Sequence, residues 1–315
     1  MSSNNTLQDV ATDLLEFNLG ATENESLLIL TDTVTEHIGR ALLESGRNLG
    51  LDAGILTILP REQSGQEPPA FASAAMTEAD IVVCPASTSF THTRARELAA
   101  ESGARVATMP GITEQMFASG AVSADYQRVT ELSTKLTGKI TEADTATIEY
   151  RGEQFTVSLA GRDGISSDGI LQNAGDWGNL PSGEAYVAPV EGTANGTLVF
   201  DGGIVGGGDS GVITVTVEDG SIVKIEGKNP PSPLVGGPEC SRQTCELGIG
   251  TNPSAQIVGN VLEDEKVYGT CHVAFGDNKG FGGEIECDSH IDGILLEPTV
   301  FIDDERVVEG GEVLI

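Results

Sequence analysis

Apolar positions recur at helical spacing over residues 7–19, and Ser26-Leu27-Leu28-Ile29-Leu30 follows as an unbroken run of strand length. Thr31-Asp32-Thr33 then supplies capping side chains for a helix through Ala41-Leu42-Leu43, closed by Gly46 and Gly50. Residues 53–59 and 80–84 read as a second and a third strand, 94–104 as a helix and 104–109 as a fourth strand. Strands separated by helices of this length need right-handed crossovers and form a mainly parallel sheet. From about residue 145 the period changes to two. Residues 145–150 and 154–159 read as a hairpin across Arg151-Gly152-Glu153, and 212–217 with 222–225 as another across Asp219-Gly220. The join falls at residues 135–144, where a helical pattern ends and no strand has begun. The expected fold is an α/β domain over residues 1–140, followed by a β-rich α+β metal-binding domain over 141–315.

Composition adds the setting. The chain has 315 residues, 39 % of them apolar, enough for two cores at about 150 residues per domain. With 48 acidic against 17 basic side chains its formal charge is −31, which repels nucleic acid and anionic membranes. Such a surface resembles that of a halophilic protein, whose dense carboxylates stay hydrated where salt screens charge within a few ångströms. Ordered apolar patterns throughout exclude an acidic disordered chain. No basic start leads into an apolar core, and no apolar run approaches the roughly 18 residues of a spanning helix. A soluble cytoplasmic protein with neither membrane nor nucleic-acid partners is therefore expected, as a homodimer. Five cysteines, Cys84, Cys240, Cys245, Cys271 and Cys287, are odd in number and lack metal-ribbon spacing, so reduced thiols are expected. The glycine cluster at 202–211 ends in no Lys-Ser/Thr and precedes no helix, so it reads as a turn or bulge and not as a phosphate loop.

The four histidines, His37, His92, His272 and His290, narrow the chemistry. His290-Ile291-Asp292 lies in an alternating pattern, where period two puts His290 and Asp292 on one face, able to chelate one ion. His272 precedes it in a strand that ends at Gly276. Glu246 sits among apolar and glycine residues, where an unpaired charge is costly, and Glu184 leads into another apolar run. Together these nitrogen and oxygen donors suit Zn, Mn, Co or Fe(II) and not a soft thiolate site. Five ligands hold two metals if one carboxylate bridges, and water between two Lewis acids about 3.5–4 Å apart is activated for hydrolysis. His92 follows the strand that ends at Cys84, at the carboxyl end where open α/β sheets place ligands. His37, inside a helix, reads as surface.

The blocks Leu180-Pro181-Ser182-Gly183-Glu184, Glu246-Leu247-Gly248-Ile249-Gly250-Thr251-Asn252, His272-Val273-Ala274-Phe275-Gly276 and His290-Ile291-Asp292, in this order, resemble the aminopeptidase T (thermophilic leucyl aminopeptidase) family. Thr91-His92-Thr93-Arg94-Ala95 and the stretch 103–113 look like the same superfamily. The resemblance implies that Glu184, Glu246, His272, His290 and Asp292 ligate a pair of divalent metals, with Glu184 bridging. It implies a metallo-aminopeptidase acting on peptides, with Glu184 and Glu246 in the hydrolytic machinery. One departure stands out: the family's active-site Tyr, seven positions after its first metal-ligating His, is matched here by Lys279, whose positive charge could serve the tetrahedral intermediate. The superfamily also contains dihydroxypyridine dioxygenase, a mononuclear Fe(II) ring-cleaving enzyme. By that resemblance His272, His290 and Asp292 form the iron triad and His92 is the acid–base residue acting on a small-molecule substrate.

Overall fold

A computed structural model describes residues 6–208 and 211–315. The chain separates into two compact units, one of Met1–Tyr126 with Gly169–Ser182, the other of Gln127–Asp168 with Gly183–Ile315.

In the first unit, β1 (Ser26–Asp32), β2 (Asp52–Ile58), β3 (Ile81–Ala86) and β4 (Arg105–Pro110) form a parallel sheet in the order β2-β1-β3-β4, with Trp177–Asn179 as a fifth strand beside β4. Every residue of β3 is buried, as a strand with both faces covered requires. Helix α1 (Glu36–Asn48) follows β1 and buries Ile38, Ala41, Leu42 and Leu43. Gly46, expected to end this helix, lies inside it: a Cβ there would come 2.5 Å from Leu27 Cδ2, so the glycine permits close packing on β1. Gly50, at φ +81°, makes the turn out.

The strands of the second unit's two sheets, one eight-stranded and one six-stranded, all pair antiparallel. Both expected hairpins form, as Thr145–Tyr150 with Glu153–Ser158 and Ile213–Glu218 with Ser221–Glu226. Their turns, Arg151-Gly152 and Asp219-Gly220, take the positive φ that a two-residue turn needs to match strand twist. Ile148, Phe155, Val215 and Val300 from one sheet share a core with Leu247, Val273, Phe275 and Ile291 from the other.

Two expectations are corrected here. The boundary at 140/141 falls inside helix α2 (Tyr126–Glu142), which buries Leu136 and Ile140 in the β-rich core and so belongs to that unit from Gln127 onward. Residues 169–182 return to the α/β unit, because Trp177–Asn179 completes its sheet. Cys240 and Cys287 are not free thiols but a disulfide with Cα atoms 5.8 Å apart, while Cys84, Cys245 and Cys271 are free and buried. Their separation of 47 residues hides that proximity from any local pattern. The glycine-rich stretch begins with a short strand, Gly203–Ile204; its Asp209 and Ser210 lie outside the described residues. Among the described residues, no helix is long and apolar enough to cross a membrane.

Candidate metal centre

Four neighbouring strands of the six-stranded sheet carry the candidate ligands: β5 (Glu184–Val187), β6 (Thr244–Gly250), β7 (Cys271–Gly276) and β8 (His290–Leu295). Register brings them together. Glu184 pairs with Gly250 and Tyr186 with Gly248, Gly248 pairs on its other side with His272, Glu246 faces Ala274, and Ala274 faces Asp292. Side chains two apart share a face, so Glu184, Glu246, His272, His290 and Asp292 project from one side of the sheet, while Leu247, Val273, Phe275 and Ile291 enter the core on the other. The register shifts between Thr244 and Glu246, a bulge that leaves Cys245 out of the pairing just before Glu246, whose face follows from its period-two spacing to Gly248. Small residues make room. A Cβ on Gly248 would stand 2.2 Å from His272 Nε2, so the imidazole can lie over that position only because it is glycine.

The donors form two clusters that share one carboxylate: Glu184, Glu246 and His272, and Glu246, His290 and Asp292. Within each, one ligand atom per residue lies within 4.8 Å of the others. His272 Nε2 is 3.3 Å from Glu246 Oε1 and 3.5 Å from Glu184 Oε2. His290 Nε2 is 3.1 Å from Glu246 Oε2 and 3.4 Å from Asp292 Oδ1. Glu246 is thus the carboxylate that reaches both imidazoles. The Asp277 carbonyl can only accept, so His290 Nδ1, 2.8 Å away, carries the hydrogen and leaves Nε2 turned into the cluster. Glu184, Glu246, His272 and Asp292 are buried, and His290 is partly open.

Electrostatics agree with a site built for a cation. Burial pushes the His272 pKa down, but Glu246 and Glu184 outweigh it and raise it to about 9. His290 is likewise raised well above its ordinary value, with Asp292 overcoming burial. Burial raises Glu246, and the two imidazoles more than reverse this, to about 2. A proton and a divalent cation therefore compete for the same Nε2 atoms. Glu184 Oε2 is buried with no hydrogen-bond partner, and the two carboxylates and imidazole of Glu246, His290 and Asp292 form a nitrogen and oxygen donor set that suits a divalent cation. The residues present fit such an ion.

Lys279 is exposed and paired with Glu286, so it is not brought to the carboxylates and imidazoles. His92 belongs to the α/β unit, on the loop between β3 and the helix Arg94–Glu101. His37 is on the surface, 3.7 Å from Glu114.

Two features escape a sequence reading. Tyr186, two residues from Glu184, meets Phe281 edge to face with centroids 5.6 Å apart, and Phe281 meets the His290 ring at 5.9 Å. Burial, then Glu246 and Glu184, raise the Tyr186 pKa, so it stays a neutral phenol. Phe281 is placed by Asn278, whose side chain is buried and bonded to Glu191, the Cys245 carbonyl and the Ile285 amide. The second feature is Lys266, whose Nζ is 2.8 Å from Glu184 Oε1 and also bonds Glu265. The loop that delivers it is closed by Asn252, whose amide donates to the Lys266 carbonyl at 2.9 Å. Glu263 and Asp264 hold the loop by accepting from the amides of Gln256, Val258 and Gly259. The available signal was rarity: Lys266 is one of six lysines in a strongly acidic chain.

A parallel-sheet unit joined in one chain to an antiparallel unit with buried carboxylates and imidazoles is a fold shared with solved structures of a dioxygenase and of an aminopeptidase T. The chain belongs to the 2,5-dihydroxypyridine 5,6-dioxygenase (NicX) family, whose profile matches residues 59–236. That stretch includes His92 and Glu184 and stops before Glu246. The 2,5-dihydroxypyridine 5,6-dioxygenase of Pseudomonas putida KT2440 is 28 % identical over 182 residues, 52 % of each chain, so the match spans about half of that relative. Two solved structures share the fold. That of 2,5-dihydroxypyridine dioxygenase from P. putida KT2440 has a TM-score of 0.79 at 20 % identity, over 100 % of this chain and 98 % of the other. Wild-type AmpT from Thermus thermophilus has 0.71 at 15 % identity, over 98 % and 99 %.

Proposed function

We propose that this protein is an Fe(II)-dependent dioxygenase that opens a hydroxylated aromatic ring such as 2,5-dihydroxypyridine. The observation that carries this reading is the cluster of Glu246, His290 and Asp292, with His290 Nε2 freed for a metal by the Asp277 carbonyl, in a chain of that family. When bound, Fe(II) supplies the one-electron chemistry that insertion of O₂ into an aromatic ring requires. Glu246, His290 and Asp292 would hold it; His272, expected in the iron triad with His290 and Asp292, instead groups with Glu184 on the other side of Glu246. The chain's remaining residues orient the ring. The edge-to-face corner of Tyr186 and Phe281 offers an apolar wall to a planar ring, and the neutral Tyr186 hydroxyl can donate to a ring oxygen.

One geometric observation favours a second reading, a paired-metal aminopeptidase like the one the resemblance implied. Glu246 belongs to both clusters and turns one oxygen to each imidazole. In such a pair the bridging carboxylate would be Glu246, and Glu184 would be terminal. The absence of a Tyr at position 279 weighs against this chemistry.

The deciding experiment loads metal-free protein with Fe(II) under anaerobic conditions, adds 2,5-dihydroxypyridine, and follows O₂ uptake and ring absorbance on admission of oxygen. Uptake matched to loss of the ring is expected. No uptake, together with release of leucine from leucyl substrates after loading with Zn, Mn or Co, would replace the dioxygenase by the peptidase.

A further inference from the structure

The two clusters differ in one respect that the ligand blocks do not reveal: a fixed cation is already built into one of them. Lys266 is 2 % exposed, and its ammonium lies 2.8 Å from Glu184 Oε1, with Glu265 as its second partner. Glu246 and Asp292 have no Lys or Arg partner among the described residues; their ion-pair partners are the imidazoles of His272 and His290. A buried carboxylate is costly without a counter-charge, and where Glu184 has a fixed ammonium, Glu246 and Asp292 have imidazoles that can themselves ligate a metal. An ion held by Glu184 would instead sit beside an ammonium bonded to the same carboxylate, and two like charges at such a separation repel strongly in a buried site.

Resting on the reading that these clusters bind a divalent metal, we infer that Lys266 makes the two positions unequal. Its ammonium serves Glu184 in place of a second metal, so a single divalent ion binds tightly between Glu246, His290 and Asp292. Lys266 is a positioning residue: it acts on metal occupancy through Glu184, which it holds by one oxygen.

The loop geometry supports a built feature. Lys266 follows the turn Val261–Asp264, its amide donates to the Glu263 carbonyl at 2.9 Å, and its carbonyl accepts from Asn252. The backbone at Lys266–Val267 passes close to Gly250, where a Cβ would stand 2.0 Å from the Val267 carbonyl oxygen. Glycine at 250 lets this loop pass close to the strand that carries Glu246.

The test is a calorimetric titration of metal-free full-length protein with Mn(II), followed by paramagnetic resonance of the bound ion. Wild-type protein is expected to take one tight equivalent with the spectrum of an isolated ion. Lys266→Met is expected to bind a second equivalent at least about tenfold more tightly than wild type, with the spectrum of a coupled pair sharing Glu246. Because Lys266→Met leaves two acids without their cation and could fail to fold, Glu184→Gln provides an independent arm. It is expected to keep the tight equivalent within about twofold of wild type, a change of less than half a kcal/mol. Two equal equivalents in wild type, no tightening in folded Lys266→Met, or loss of the tight equivalent in Glu184→Gln would each overturn the inference while leaving a metalloprotein. Wild type that binds no Mn(II), Co(II) or Fe(II) would instead overturn the proposed function beneath it.

Discussion

Gly248 shows how a single residue can govern a metal site without offering a ligand. It pairs with Tyr186 on one side and His272 on the other, and the His272 imidazole lies across it. Gly248→Ala would place a methyl group 2.2 Å from Nε2, the atom turned toward Glu184 and Glu246. The ring or the strand must then shift. The expected result is a loss of about 1–3 kcal/mol of stability, the usual range for overpacking, together with weaker metal binding. Denaturant unfolding and metal titration of the same variant check both halves; metal binding as tight as in wild type would show that His272 does not need this orientation.

Elements are held at their ends by side chains that take up orphaned backbone donors. The clearest case is Asp32, at the carboxyl end of β1. One oxygen accepts from the Val34 and Thr35 amides at 2.9 and 3.2 Å, and the other from the Ser87 amide at 2.7 Å, just beyond β3. Asp32 thereby joins the start of the β1–α1 connection to the end of the neighbouring strand. Burial raises its pKa, but Ser87, Val34 and Thr35 outweigh this and hold it below the usual value. A carboxylate depressed in the folded state contributes stability above the unfolded pKa of about 3.9, and loses it as pH falls through the folded value. Asp32→Ala is expected to cost about 1–3 kcal/mol at neutral pH, the penalty for leaving buried donors unpaired, and the gap from wild type should shrink in acid. Unfolding curves at pH 7 and at about pH 3 would show this; a pH-independent difference would mean that packing and not charge is what the substitution removes.

Across the whole molecule the dominant quantity is the formal charge of −31. Repulsion of that size destabilises a compact state, and added salt relieves it as the screening length falls from about 10 Å at 0.1 M to about 3 Å at 1 M. The thermal midpoint should therefore rise between those salt concentrations. A flat or falling midpoint would mean that ion pairs such as Arg105–Glu25, at 2.5 Å, outweigh the general repulsion.

At this scale, too, the division between local and distant information is visible. Alternation placed His290 and Asp292 on one face, and the two hairpin turns were marked by Arg151-Gly152-Glu153, of which Glu153 belongs to the strand, and by Asp219-Gly220, because period and turn chemistry act over a few neighbouring residues. The parallel and antiparallel character of the two halves was legible for the same reason. Resemblance to a known family named the five ligand candidates, and the strands bring all five to one face.

Relations across the chain were decided only by packing. Glu184 and Lys266 are separated by 82 positions and Cys240 and Cys287 by 47, and nothing local to either member identifies its partner. The bulge at Cys245, just before Glu246, exists only through pairing with β7. The return of residues 169–182 to the α/β unit depends on an open sheet edge beside β4, which exists only once that sheet has formed. Short-range order, hydrophobic period and charge are written in the order of the residues, because they act within a few positions. Which carboxylate reaches both imidazoles, and which is already held by an ammonium, was settled by the tertiary structure, because buried charges find their partners through space.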